Sequence, residues 1–165
     1  MDIIDPIAME FVQEAATTRR MLERVPEEHF GWRPHARSMS LITLASHIAE
    51  IPSWVAAILE QDELTLDLDE YAPRIAANRV ELIDLFEQNV RAASRLMKGH
   101  TNEHMMQLWR MKVAGERKFE LPRVAVMRAM VLNHIVHHRG QLSVYLRLKD
   151  VPLPPVYGPT ADEEA

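Results

Sequence analysis

The tightest constraint on the fold lies between residues 127 and 148. There Met127, Val131, His134, His138, Gln141, Tyr145 and Leu148 follow one another in alternating steps of four and three. That is the spacing of a helix seam turned toward a core. It predicts a long helix, with His134 and His138 on its inner side and one turn apart. The stretch "NHIVHHRGQL" (133–142) adds His137, about 100° around the helix from His138. His137 shares a stripe with Met130 and Asn133 and so flanks the seam.

Apolar spacing predicts three more helices of similar length. The first runs over Pro6–Val25, with Asp5 as N-cap and Pro6 at the first helical position. The second opens at Ser40 and runs to Gln61, the third over Pro73–Lys98, and the fourth over Pro122–Lys149. "PEEHFGWRPHARSMS" breaks the pattern after the first helix, and the acidic "DELTLDLDEYAP" reads as a loop after the second. The connection over 99–121 is long for a helix–helix link, and "LWRMKVAGERKFEL" within it reads as a short β-hairpin around Ala114-Gly115-Glu116. The expected fold class is therefore all-α: a four-helix bundle with long connections and one short hairpin before the fourth helix. Residues 1–150 form a single domain, and the proline-rich 151–165 form an extended tail packed on it or trailing from it.

Length and composition agree with this. A chain of 165 residues that is 47% hydrophobic and holds only five glycines can bury one helical core. The formal charge of −5 speaks against a broad grip on nucleic acid or anionic membrane. With no cysteine, disulfides, thiolate-ligated zinc and nucleophilic thiols in the chain itself are excluded. "MDIIDPIAMEFVQEAATTRR" lacks the basic and apolar regions of a secretory leader. No uninterrupted apolar run approaches a membrane span, and the cytoplasm is the expected location.

The second helix repeats the pattern of the fourth. Leu44, His47, Ile51, Trp54 and Ile58 step by three and four, with His47 in the seam. Three histidines on two helices thus occupy aliphatic positions. A buried imidazole needs a partner: a backbone carbonyl for each, or one divalent ion shared by His47, His134 and His138. Spacing alone leaves both open. Three neutral imidazoles suit zinc, nickel or iron, and leave a coordination position for water or substrate. Glu50, one turn past His47, reads first as a solvated charge, and second as a ligand or an acceptor for a ligand. Asn133 and Gln141 are candidates for orienting the imidazoles.

Two residues interrupt the helices. Pro52 removes an amide donor near His47 and kinks or curves the second helix. Gly140 makes room near the ion or packs closely on another helix. His29, His35, His100 and His104 are expected at the surface. Trp32, Trp54 and Trp109 read as packing anchors, with Trp32 placed to roof a pocket.

The chain resembles the DinB-like (DinB/YfiT-like) superfamily of metal-dependent four-helix bundles. The residues that carry the resemblance are "WRPHARSMSLITLASHIAE" (32–50), "NHIVHHRGQLSVYLRL" (133–148) and "VPLPPVYGP" in the tail. The resemblance implies that His47, His134 and His138 are the metal triad and that the protein is a homodimer through its helices. Characterised members imply a function too: transfer of an external low-molecular-weight thiol to an electrophilic small molecule. A metal-dependent hydrolase and a non-catalytic metal-binding or stress-response module are the alternatives. The family name does not imply binding to nucleic acid.

Overall fold

The computed structural model describes residues 2–67 and 69–164, so Met1, Leu68 and Ala165 lie outside the described residues. Helix α1 spans Ile4–Leu22, two residues earlier than expected, so Ile3 rather than Asp5 is its N-cap; Asp5 lies inside the first turn and accepts from the Asp2 amide at 2.8 Å. Helix α2 spans Leu41–Glu50, with the Ser40 hydroxyl accepting from Thr43 N, as an N-cap serine should. Its continuation α3, Trp54–Glu60, is offset by a 3₁₀ turn at Ile51–Ser53. Pro52 sits in that turn, and the Asn89 side chain donates to the carbonyl of Ala49 across the break at 2.8 Å.

Helix α4 is Arg79–Leu96, six residues later than the expected start at Pro73. The start is fixed by reciprocal capping. Asn78 Oδ1 accepts from Glu81 N at 2.8 Å, and Glu81 Oε2 accepts from Ala77 N at 3.0 Å. A short α5, Asn102–Met106, follows.

The all-α expectation is corrected by a three-stranded sheet. Strands β2 (Leu108–Val113) and β3 (Glu116–Pro122) form the expected hairpin. Its two-residue turn, Ala114 at φ 49° and Gly115 at φ 77°, has the left-handed backbone that matches strand twist. The third strand, β1 (Glu63–Leu66), comes from the acidic stretch expected to be a loop, and pairs parallel with β2 from Glu63↔Arg110 to Leu66↔Val113. The sheet is mixed, in the order β1-β2-β3.

The last helical segment is not uniform. Helix α6 (Arg123–Val126) leads into a π-helical stretch, Met127–Leu132, and then into α7, Asn133–Arg147. The wider π turn inserts extra backbone per turn and rotates the faces on either side of it. As a result, the fully buried face of α7 is Ile135, Arg139, Leu142 and Leu146. The predicted seam lies one residue around from it: His134 and His138 are half-buried, while Gln141 and Leu148 are exposed.

Helix α1 packs on α4 and α7, and α2 packs on the same two helices. Two apolar clusters fill the interior. One surrounds Phe11, Ile51, Trp109 and Ile135, and the other surrounds Leu22, Leu44, Phe86 and Leu142. The tail carries no regular element but packs down, with Pro154 and Pro155 buried. Arg20 donates to the Pro155 carbonyl at 3.1 Å. Leu41–Glu60 passes for a membrane span by length and mean hydropathy, 1.4, but it is interrupted by polar residues and by the turn at Pro52, and 61% of that window is buried inside the fold, as in a core helix.

Candidate metal centre

His47 stands one turn before the break in the second helical arm, and His134 follows directly on the π-helical stretch. Both irregularities therefore flank the point where the two arms face each other. His47, His134 and His138 meet there, each offering a ring nitrogen within 4.8 Å of the others. His47 Nε2 and His134 Nε2 are 3.1 Å apart. Nitrogens bound to one tetrahedral ion at about 2.0–2.1 Å lie roughly 3.4 Å from each other, so this donor set fits a small divalent cation. The rings are packed accordingly, with centroids 4.7 Å apart for His47 and His138 and 4.6 Å for His134 and His138.

Their electrostatics keep lone pairs available. Burial, and then the neighbouring histidines, push His134 down to about 4. Burial also lowers His138, against the opposing hydrogen bond that it donates to Gln141. Gln141 Oε1 lies 2.7 Å from His138 Nδ1. Because the amide oxygen can only accept, Nδ1 carries the hydrogen and Nε2 is left to coordinate. Gln141 thus has the orienting role expected for it. Asn133 is exposed and lines the outer mouth beside Ala129 and His137; no imidazole hydrogen bond was found for it among the described residues.

Glu50 is not a free solvated charge. Its Oε2 is 3.9 Å from His47 Nδ1, an ion-pair distance, and accepts from the Tyr71 hydroxyl at 2.9 Å. The His47 imidazole, and then Tyr71, hold the Glu50 carboxyl below its usual range. Burial, followed by that carboxylate, pushes the Tyr71 phenol up to about 12, so it remains a donor. Tyr71 comes from the stretch after β1, and nothing in its sequence position had marked it.

On the His47 side the centre opens into a cavity of about 450 Å³. Trp54, Ala57 and Ile58 of α3 form one wall, and residues of β1 and β2 form the other. Trp54 stacks edge-on against both His47 and His134. Trp109 is fully buried and donates its indole N–H to the Ala57 carbonyl at 3.0 Å. Both tryptophans therefore anchor and line the cavity at once. Trp32 does not roof it, since it packs edge-on against Tyr145 under Lys149.

The other flagged residues do different work. His100 and His104 are half-buried rather than on the surface. They stack on one another, and each Nε2 meets a backbone carbonyl, of Leu96 and Leu59. Gly140 neither makes room for an ion nor packs closely, for a Cβ there would meet nothing within 4 Å. Behind His138, Arg139 is buried against Glu14 at 2.6 Å. This ion pair was unexpected.

Comparison with known proteins agrees with the fold. The sequence model of the DinB family matches residues 5–165. The uncharacterized protein YrdA of Bacillus subtilis (strain 168) is 22% identical over 152 residues, covering 92% of this chain and 86% of that protein. The crystal structure of the DinB-like protein YjoA from Bacillus subtilis superposes with a TM-score of 0.69 at 18% identity, over 93% of this chain and 98% of that one. A DinB-like protein from Bacillus cereus ATCC 10987 does so with a TM-score of 0.70 at 17% identity, over 92% and 95%.

Proposed function

This chain belongs to the DinB family, and from that premise we propose that it is a divalent-metal-dependent enzyme on a four-helix-bundle scaffold, transferring a low-molecular-weight thiol to an electrophile. The observation that carries the reading is the group formed by His47, His134 and His138, with an apolar cavity on one side and an open mouth on the other. Zinc, nickel and iron all suit the donor set. When bound, such an ion supplies Lewis-acid stabilisation of an anionic nucleophile near neutral pH.

The protein's own residues do the rest. Low basicity keeps His134 an electron-pair donor, and Gln141 aims His138. Trp54 packs edge-on against both the His47 and His134 rings and holds them in place beside the cavity. Glu50 is the one carboxylate among the described residues that lines the cavity, and it is the group placed to accept a proton from an incoming thiol. The thiol comes from outside, since the chain has no cysteine. Exposed Met9 and Val12 on α1 support a homodimer formed through helices.

Glu50 also supports a second reading, metal-dependent hydrolysis, in which it would take the proton from water instead. Elemental mass spectrometry of untagged protein, alongside His138→Ala, tests the site first: about one ion per chain, lost in the variant, is expected. The metal-loaded protein is then offered a chlorinated aromatic electrophile with and without bacterial thiols, and a nitrophenyl ester without them. Thiol-dependent loss of the electrophile supports transfer, and ester cleavage alone supports hydrolysis. No bound metal, or no turnover of either kind, overturns the enzyme reading.

A further inference from the structure

The cavity beside His47 has a chemistry of its own. Its walls carry Trp54, Ile58, Leu64, Leu66, Met111 and Met130, drawn from α3, β1, β2 and the π-helical stretch. Among the described residues Glu50 is the only carboxylate, Lys or Arg that lines it, and that carboxylate lies near His47 and is bonded to Tyr71. Apart from Ser53, the polar side chains that line it are thus His47, Glu50 and Tyr71, and the remainder is hydrocarbon, indole and thioether. A space of about 450 Å³ lies within the range of small-molecule sites, roughly 300–1,000 Å³. It is also too large to be a packing defect in an interior that otherwise fills its volume.

We propose that this cavity is the subsite for the substrate's apolar body, oriented so that the substrate's single polar, reactive end meets His47, Glu50 and the Tyr71 hydroxyl. This rests on the metal-enzyme reading and adds the substrate class to it: a molecule with an uncharged aliphatic or aromatic body and one polar terminus. A charge carried within the body has no partner among the lining residues and is rejected by desolvation. Selectivity by length follows, because each methylene that enters the cavity tightens binding by about fourfold until the space is full.

Unbranched primary alcohols from propanol to octanol are suitable probes, each being an apolar chain with one hydroxyl. Their binding to the full chain, metal-free and zinc-loaded, is read by tryptophan fluorescence, since Trp54 and Trp109 line the cavity. Affinity should climb about fourfold per methylene. It should fall at least about tenfold in Ala57→Phe, which fills the cavity from the surface of α3. Leu66→Asp, which sets a charge in the wall, gives a second reading if the first variant folds poorly by circular dichroism. In cobalt-loaded protein the carbinol protons should relax faster than the terminal methyl. Affinity that is flat with chain length or unmoved by both variants overturns the subsite, and faster relaxation of the methyl overturns the orientation. Failure to take up cobalt or zinc overturns the metal reading, and the substrate role with it, while the chain-length series still reports whether an apolar body is held.

Discussion

Arg139 allows the sharpest test of what holds the site in place. Its side chain is 2% exposed, and its guanidinium stands 2.6 Å from Glu14 Oε2. Thr18 Oγ1 lies 3.2 Å from Nη1, and the Tyr157 hydroxyl accepts from Nη2 at 2.8 Å while donating to Glu14 Oε1 at 3.0 Å. One buried cation thereby ties α7, directly behind His138, to α1 and to the tail. Glu14→Ala removes the anion and leaves the cation buried with neutral partners. Removing one member of a buried pair costs about 3–5 kcal/mol. For a chain of this size each kcal/mol shifts Tm by roughly 2–4 °C, so a fall of about 10 °C is expected. Tyr157→Phe removes two hydrogen bonds, one from the Arg139 guanidinium and one to the Glu14 carboxylate, and should cost about 2 kcal/mol, since the ring itself is exposed. Combining Glu14→Ala with Arg139→Met removes both charges and should recover most of the loss, because apolar groups of similar volume replace buried pairs at little cost. Urea unfolding followed by far-ultraviolet circular dichroism measures all three together with Arg139→Met alone. A loss below about 1 kcal/mol for Glu14→Ala, the value of an ordinary surface pair, would refute the account, and so would a double variant whose cost is the plain sum of its parts.

Three other outcomes are expected. Gln141→Leu takes away the acceptor 2.7 Å from His138 Nδ1 and should weaken metal binding by about 10–100-fold in a competition titration; unchanged affinity would mean that packing alone orients the ring. Gly140→Ala meets no neighbour within 4 Å and should raise stability by about 1 kcal/mol, seen as a higher Tm, whereas a loss would reveal a contact at that face. His134 is held down at about 4, below its ordinary 6.5, so the unfolded chain takes up the proton first. Stability of the metal-free protein is therefore full above pH 6.5 and declines as pH falls toward 4. Because the ring is half open to solvent, the loss should be on the order of 1 kcal/mol; Tm measured across that range should fall less steeply in His134→Gln, and an unchanged slope would assign the effect elsewhere.

The helices were legible in the sequence because their signals are local. Ser40 capping, the apolar spacing of α1 and α4, and the Ala114-Gly115 turn each depend on residues within a few positions. The start of α4 was equally local, since Asn78 and Glu81 form a recognisable cap, but Pro73 offered a competing signal. On the last helix two neighbouring stripes share the same four-and-three spacing: one through His134 and His138, the other through Ile135, Arg139, Leu142 and Leu146. Periodicity cannot rank them, and an arginine argues against choosing the second. Its burial depends on Glu14, 125 residues away in sequence, and on the π-helical stretch, which shifts the face without changing the spacing.

The cavity was hidden for the same reason. Its outer wall exists only because β1, an acidic segment of weak strand character, pairs parallel with β2 some 47 residues later. What the sequence does carry is the polarity of each wall residue, and that is enough to connect the two findings. The histidines lie on the flank of α7 rather than on its buried face, which leaves their lone pairs beside a space the core does not fill. Had the His134 stripe been the buried one, the same three imidazoles would have been packed shut, with an ion held but no room for anything to react there.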